Sequence, residues 1–221
     1  MADMTFQKEY WERSELDGRR PPDHPAVAAY VLPAVEQIRR HVPLTRSTRL
    51  LDVGCGNGSF SYRFDSICDV TAVDFSEKML ELNPVARKHR MDAGKLKFDD
   101  ASFDVVFCHA LLHHVDDMDR VIREMSRVSR KHVVILEPNR NNPLTFLFSL
   151  IVAEERKALR FSLSYLRKAA VRCGLHVTAS FSSGLVYPNK TPVFVLPLMR
   201  HLGGRWPLGI TNFVIAEKGS P

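Results

Sequence analysis

Hydrophobic positions along this chain follow two rhythms. Short runs rich in Val, Ile, Leu and Phe recur at Leu50–Val53, Thr71–Asp74, Ser102–Phe107, His132–Leu136 and Asn212–Lys218, and they have the length of buried strands. Between them, apolar residues repeat every three or four positions. Val27, Tyr30, Val31, Ala34, Val35 and Ile38 predict a helix over 26–42, and Met118, Val121, Ile122, Met125 and Val128 predict another after Asp116. This alternation over 49–139 predicts parallel β-α units, whose right-handed crossovers place helices on both faces of a sheet. A helix through Phe6, Tyr10 and Trp11 is broken by Arg20-Pro21-Pro22-Asp23-His24-Pro25.

After Asn139 the pattern changes. Asn141-Asn142-Pro143 opens an apolar run, Leu144–Ala153, that is too short to cross a bilayer and predicts a cap or lid helix. Ser164–Cys173 reads as a helix ending at Gly174, with a strand starting at Leu175. The Pro-, Leu- and Gly-rich stretch 187–207 carries no assignable period. The expected organisation is one domain over 1–221: N-terminal helices or lid over 1–48, a core over 49–140, a cap over 141–205 and a closing strand over 206–218.

Composition narrows the picture. With 221 residues and 45% hydrophobic content, the chain can bury the core of one α/β domain. Its net charge of +6 is spread along the sequence, which favours anionic partners without marking a nucleic-acid block. Arg120, Arg123, Arg127 and Arg130 read as a solvated helix face with cations toward the C-terminus, in preference to an RNA-binding stripe. Cys55, Cys68, Cys108 and Cys173 form no zinc framework, so reduced thiols and no metal are expected. The first twenty residues are charged throughout, unlike a signal peptide or membrane span, and a cytoplasmic enzyme is the expectation.

The candidate chemistry begins at LLDVGCGNGSF, residues 50–60. Gly54, Gly56 and Gly58 lack Cβ atoms, so the turn can bring main chain against a ligand, and a helix starting near Gly58 would aim free N–H groups there. The spacing is G-x-G-x-G behind Asp52, whereas a dinucleotide fingerprint needs G-x-G-x-x-G; this counts against NAD. Asp74, at a strand end, has the chemistry to accept ribose hydroxyls. Asp92, in Met91-Asp92-Ala93, has the polarity to accept from an adenine amino group. His109-Ala110-Leu111-Leu112-His113-His114 follows the next strand, where its carboxyl end meets a substrate.

These four segments, in this order, closely resemble class I S-adenosylmethionine-dependent methyltransferases, particularly the small-molecule, type 11-like branch that includes quinone and lipid methyltransferases. The resemblance spans about Arg49 to Asn139 and is strongest in LDVGCGNG. It implies a Rossmann-like α/β fold: a mostly parallel seven-stranded sheet, helices on both faces, and an antiparallel last strand. It also implies that Gly54, Cys55 and Gly56 line the methionine end of the cofactor, Asp74 the ribose, and Asp92 with Ala93 the adenine. The full expected set of cofactor contacts is Tyr10, Asp52, Gly54, Cys55, Gly56, Asn57, Gly58, Asp74, Phe75, Ser76, Met79, Met91, Asp92, Ala93, His109, Ala110 and Leu111. The connection from Gly58 to Asp74 is short, so the first helix is expected to be clipped.

A sulfonium methyl is already activated, so the protein has mainly to align a nucleophile and exclude water. If the nucleophile is a hydroxyl, a base is needed, and His113 or His114 is the candidate, with His109 nearby. Either histidine can equally be a backbone cap. Glu137 can contact substrate or cap the turn at Pro138, Cys55 reads as a small filler, and Tyr10 with Trp11 can be a lid or core packing. The greasy segments 144–153 and 191–202 are where an acceptor pocket is expected. With Arg156, Lys157, Arg160, Arg200 and Arg205 beside them, they suggest a small, apolar or lipid-like acceptor and a peripheral membrane contact; packing against the sheet or a dimer contact is the alternative. Three rivals remain in view: an NAD-dependent dehydrogenase, a nucleic-acid methyltransferase, for which the Asn/Asp-Pro-Pro-aromatic signature is missing, and a non-catalytic cofactor-binding module.

Overall fold

A computed structural model describes residues 19–200 and 204–219, except for the side chain of Arg200. The expected helix through Tyr10 and Trp11 lies outside the described residues. The chain runs α1 (Pro25–Arg39), β1 (Arg49–Val53), α2 (Ser61–Asp65), β2 (Asp69–Asp74), α3 (Glu77–Leu82), β3 (Lys88–Arg90), β4 (Phe103–His109), α4 (Met118–Val128), β5 (Ser129–Pro138), α5 (Pro143–Ile151), α6 (Leu163–Arg172), β6 (Leu175–Ser183), α7 (Leu196–Arg200) and β7 (Thr211–Lys218). Short 3-10 turns at Leu112–His114, Ala153–Arg160 and Val193–Val195 join them.

The strands form one sheet in the order β3-β2-β1-β4-β5-β7-β6, parallel except that β7 is antiparallel to β5 and β6. This is the Rossmann-like sheet that the sequence resemblance implies. Each central strand is apolar on both sides because both faces are covered. Leu50, Val105, Phe107, Val134 and Leu136 pack toward α1 and α2, whereas Leu51, Val106, Cys108, Val133 and Ile135 pack toward α4 and α6.

Local rules explain most boundaries. Pro25 occupies the first turn of α1, and His24 Nδ1 accepts from Ala26 N at 3.1 Å, so the helix starts at the proline break and ends three residues before the expected 42. Helix α2 is a single clipped turn. Ser76, Asp117, Asn142 and Ser162 cap α3, α4, α5 and α6 with side-chain oxygens. Strand β3 was hidden from the hydrophobic pattern because Lys88-His89-Arg90 forms a charged sheet edge.

Arg120 and Arg127 of α4, and Arg130 at the start of β5, serve intramolecular bonds. Arg127 bonds Glu124, Asp100 and the carbonyls of Leu96 and Phe98; Arg130 pairs with Asp104, and Arg120 donates to Gly94 O.

Neighbouring strands β1 and β4 are followed by connections that leave in opposite directions along the sheet. Their carboxyl ends, aligned by the pairing of Val53 with Cys108, open the crevice where ligands bind in such sheets.

Candidate functional site

A cavity of about 730 Å³ fills this crevice, within the range of roughly 300–1,000 Å³ typical of small-ligand sites. Its floor is the turn after β1. Gly56, which lines the cavity, has φ of +52°, a conformation that favours glycine, and a Cβ there would meet nothing within 4 Å. Asp74, at the end of β2, accepts from Gly56 N at 2.8 Å and Ser76 N at 2.9 Å. Those two bonds tie the turn to β2 and leave further lone pairs on the carboxylate. Burial raises the pKa of Asp74, with the backbone N–H groups of Ser76 and Gly56 pulling against it.

Asp52 lies one layer deeper. Burial pushes it up to about 7 against the 2.5 Å hydrogen bond from Ser61 Oγ, and the charge of Asp74 adds to the rise. Two buried acids side by side make a site that favours a cationic ligand. Asn57 lines the cavity and donates to Arg20 O at 3.1 Å, tying the segment before α1 to the cradle.

The opposite wall follows β4. Ala110 adopts φ of +50°, uncommon for a residue with a Cβ, and its N–H bonds Leu136 O at 2.8 Å. The loop beyond it is organised by Glu137, wholly buried at the end of β5. Glu137 Oε1 accepts from Leu111 N at 2.9 Å and Leu112 N at 2.7 Å, and Oε2 lies 2.6 Å from His113 Nδ1. Glu137 is thus a positioning residue.

His113 Nε2 lies 3.2 Å from Glu155 Oε2, an ion-pair contact outside hydrogen-bond geometry. Burial pulls His113 down, but the charge and hydrogen bond of Glu137, with Glu155 beyond, outweigh it and push the pKa up to about 10. The neighbours go the other way. Burial and the charge of His113 lower His114 well below its usual value, and they lower His109 to about 3. His109 Nε2 lies 2.7 Å from the Tyr30 hydroxyl, which in turn meets Thr211 Oγ1 at 2.9 Å.

Ligand atoms of His113, His114 and Glu155 lie within 4.8 Å of one another, a donor set able to hold a metal ion. His113 is already clamped between two carboxylates, so a proton fills the role an ion would take there.

Of the sequence-selected residues, Asp52, Gly54, Cys55, Gly56, Asn57, Asp74, Phe75, Met91, Asp92, Ala93, His109, Ala110, Leu111, His113 and His114 all line this cavity. Gly58, Ser76 and Met79 do not. The three act behind the cradle: Gly58 turns the chain at φ of +85° against Asn83, Ser76 caps α3, and Met79 is core. Tyr10 lies outside the described residues. Cys55 is a buried thiol raised well above its usual value by burial, which suits a filler. Asp92 Oδ1 accepts from Gly94 N at 2.8 Å, holding the turn that faces the cavity.

Thr145 and Phe148 come from the segment 144–153 where an acceptor pocket was expected, whereas sequence reasoning missed Tyr30, Glu155, Tyr187 and Thr211 on the same cavity. Tyr30 carried a faint signal as the one hydroxyl in the apolar stripe of α1.

Comparisons with known proteins agree with this geometry. Residues 51–136 match the family model of a methyltransferase domain. The chain is 42% identical over 101 residues to the 27-O-demethylrifamycin SV methyltransferase of Amycolatopsis mediterranei, covering 40% of this chain and 37% of that protein. It is 38% identical over 96 residues to a phosphatidylethanolamine N-methyltransferase of Cereibacter sphaeroides, covering 39% and 47%. Against the ubiquinone biosynthesis O-methyltransferase of Bordetella avium it is 31% identical over 134 residues, 54% of each chain. The chain thus spans about half or less of the length of these curated relatives. Among solved structures, a SAM-dependent methyltransferase of Thermotoga maritima superposes with a TM-score of 0.69 at 18% identity, over 87% of this chain and 91% of that one. Another, from Aquifex aeolicus, gives 0.63 at 15% identity, over 88% and 94%.

Proposed function

We propose that this chain, whose residues 51–136 match a methyltransferase domain, is a class I S-adenosylmethionine-dependent methyltransferase that transfers the cofactor's methyl group to a hydroxyl of a small, apolar or lipid-like acceptor. The observation that carries this reading is one cavity with two kinds of wall. The glycine turn, Asp74 and Asp92 line it together with His114, Phe148 and Tyr187. The cofactor supplies an activated methyl on a sulfonium. Asp74, with lone pairs left over from Gly56 and Ser76, accepts from the ribose, and Asp92 faces the adenine. The buried acids Asp52 and Asp74 complement the positive sulfonium.

On the acceptor side, neutral His114 accepts a hydrogen bond from the acceptor hydroxyl and, as the oxygen–methyl bond forms and the methyl–sulfur bond breaks, takes the hydroxyl proton and passes it to solvent when the products leave. His113 already holds its proton between Glu137 and Glu155, so it positions the loop and takes no proton. Alignment of the acceptor oxygen with the methyl in one cavity can supply roughly 7–11 kcal/mol of the barrier. The O-methyltransferase names of two relatives support oxygen as the acceptor atom.

A methyl-transfer assay with labelled cofactor over quinol, fatty acyl, sugar-lipid and RNA pools tests the proposal. Label in the quinol or lipid pools is the expected outcome; label in RNA alone rejects it. His114→Ala is expected to lower kcat about 10–100-fold, the worth of one or two hydrogen bonds at a reacting group, with little change in S-adenosylhomocysteine affinity. The histidines are expected to give activity no inflection near pH 6.5, since His109 and His114 are held neutral and His113 charged on both sides of that value, so an inflection near pH 7 is expected from Asp52 alone and should disappear in Asp52→Asn.

A further inference from the structure

Helix α5 is built inside out. In a water-facing helix the polar side chains point to solvent and the apolar stripe points inward. Here Thr145 and Ser149 are buried at 5% and 2% exposure, Thr145 Oγ1 meeting the Tyr187 hydroxyl at 2.7 Å. Leu144, Leu147, Leu150 and Ile151 face outward at 65%, 53%, 47% and 71% exposure. The patch continues beyond the helix. Asn142 Nδ2 donates to Leu208 O at 2.6 Å and Asn139 Nδ2 to Pro207 O at 2.9 Å, so the loop bearing the exposed Trp206 and Leu208 lies against the start of α5.

Charge identifies the occupant. Exposed Arg140 stands just before α5, and exposed Arg156 and Arg160 follow it; among the described residues none of the three is in an ion pair. An apolar helix bracketed by free guanidinium groups, with a tryptophan at its margin, matches the boundary between acyl chains and anionic headgroups. A second copy of this chain would bring the same cations against each other. No helix among the described residues is long and apolar enough to cross a membrane, so the helix lies in the interface plane.

We propose that α5 and the Trp206–Leu208 loop dock the protein on an anionic lipid leaflet. Because Thr145, Phe148 and Ser149 of the same helix line the cavity, α5 is a shared wall between bilayer and acceptor site. A lipid-like acceptor can then pass from leaflet to cavity along α5 without crossing water. This delivery role rests on the methyl-transfer reading above; the docking itself does not.

The test uses the full chain and vesicles of phosphatidylcholine with or without phosphatidylglycerol. Co-sedimentation is expected with the phosphatidylglycerol vesicles, weakening as salt rises. The double variant Leu147→Glu/Ile151→Glu is expected to lose at least about tenfold in vesicle affinity, since each side chain withdraws its buried apolar surface. Its S-adenosylhomocysteine affinity, measured by calorimetry, is expected to stay unchanged, which also shows that the variant is folded. Absence of vesicle binding by the native chain at moderate salt overturns the proposal, as does binding that the double variant retains. A native dimer that the variant converts to monomer, with no vesicle binding, overturns it in favour of a self-association face. Vesicle binding without S-adenosylhomocysteine binding would uphold docking and reject the methyl-transfer reading, so the two failures are distinguishable.

Discussion

Asp74 does two things with one carboxylate: it anchors the N–H groups of Gly56 and Ser76, and it offers its remaining lone pairs to the cavity. Asp74→Ala is therefore expected to weaken S-adenosylhomocysteine binding about 10–100-fold by calorimetry, the worth of a charged hydrogen bond at about 1.5–3 kcal/mol. Unchanged affinity would remove the ribose assignment.

His113 supports a different test. Its folded-state pKa is raised from 6.5 to about 10, so the clamp with Glu137 and Glu155 contributes stability that is fully present below pH 6.5 and lost as pH rises through 10. His113→Ala is expected to cost about 3 kcal/mol at pH 6, because buried Glu137 and half-buried Glu155 lose their cation, and the gap to the native chain should narrow toward pH 10 in buffered melts.

Asp74 was legible in the sequence because a strand-end acid behind a glycine turn has few other reasons to be there. His113 and His114 were not separable. Adjacent residues of one type look alike until the fold shows that one faces Glu137 and its neighbour does not. Glu137 itself was visible as a candidate but its direction was not, since three of its partners are about twenty-five residues away in sequence.

At the scale of elements, the strands and the stripes of α1 and α4 could be read because burial on two faces makes the central strands continuous apolar runs, while burial on one face imposes a period near 3.6 on the helices. Strand β3 was missed for want of apolar residues. The greasy run after Asn142 was legible as a helix, but not its orientation, because composition says nothing of which side meets Tyr187. The turn joining β1 to α2 can be tested directly. Gly58 has φ of +85°, and a Cβ there would lie 2.5 Å from Asn83 Oδ1. Gly58→Ala is expected to destabilise the chain by about 2 kcal/mol or more in urea unfolding, combining left-handed strain with the clash. Asn83→Ala in the same chain should relieve the clash and leave the strain. Complete rescue would show that the backbone conformation is costless.

Across the whole molecule, what matters is that β1 and β4 are neighbours whose connections diverge, so residues from 19 to 211 meet at one crevice. Parallel topology was readable from the alternation of elements. The convergence of Tyr30, Glu155, Tyr187 and Thr211 on that crevice was not, because each lies on a segment whose local pattern reports only its own face. This convergence couples ligand to fold: a nucleoside gripped by both halves of the sheet stabilises the native state by mass action. At a hundredfold excess over its dissociation constant, S-adenosylhomocysteine should add about 2.7 kcal/mol, or roughly 5–10 °C in Tm for a chain of this size. NAD should add nothing, because the G-x-G-x-G turn and the buried Asp52–Asp74 pair disfavour a pyrophosphate anion at the point where a sulfonium cation is welcome. Differential scanning fluorimetry with both ligands decides between them, and a rise with NAD alone would transfer the crevice to a dehydrogenase.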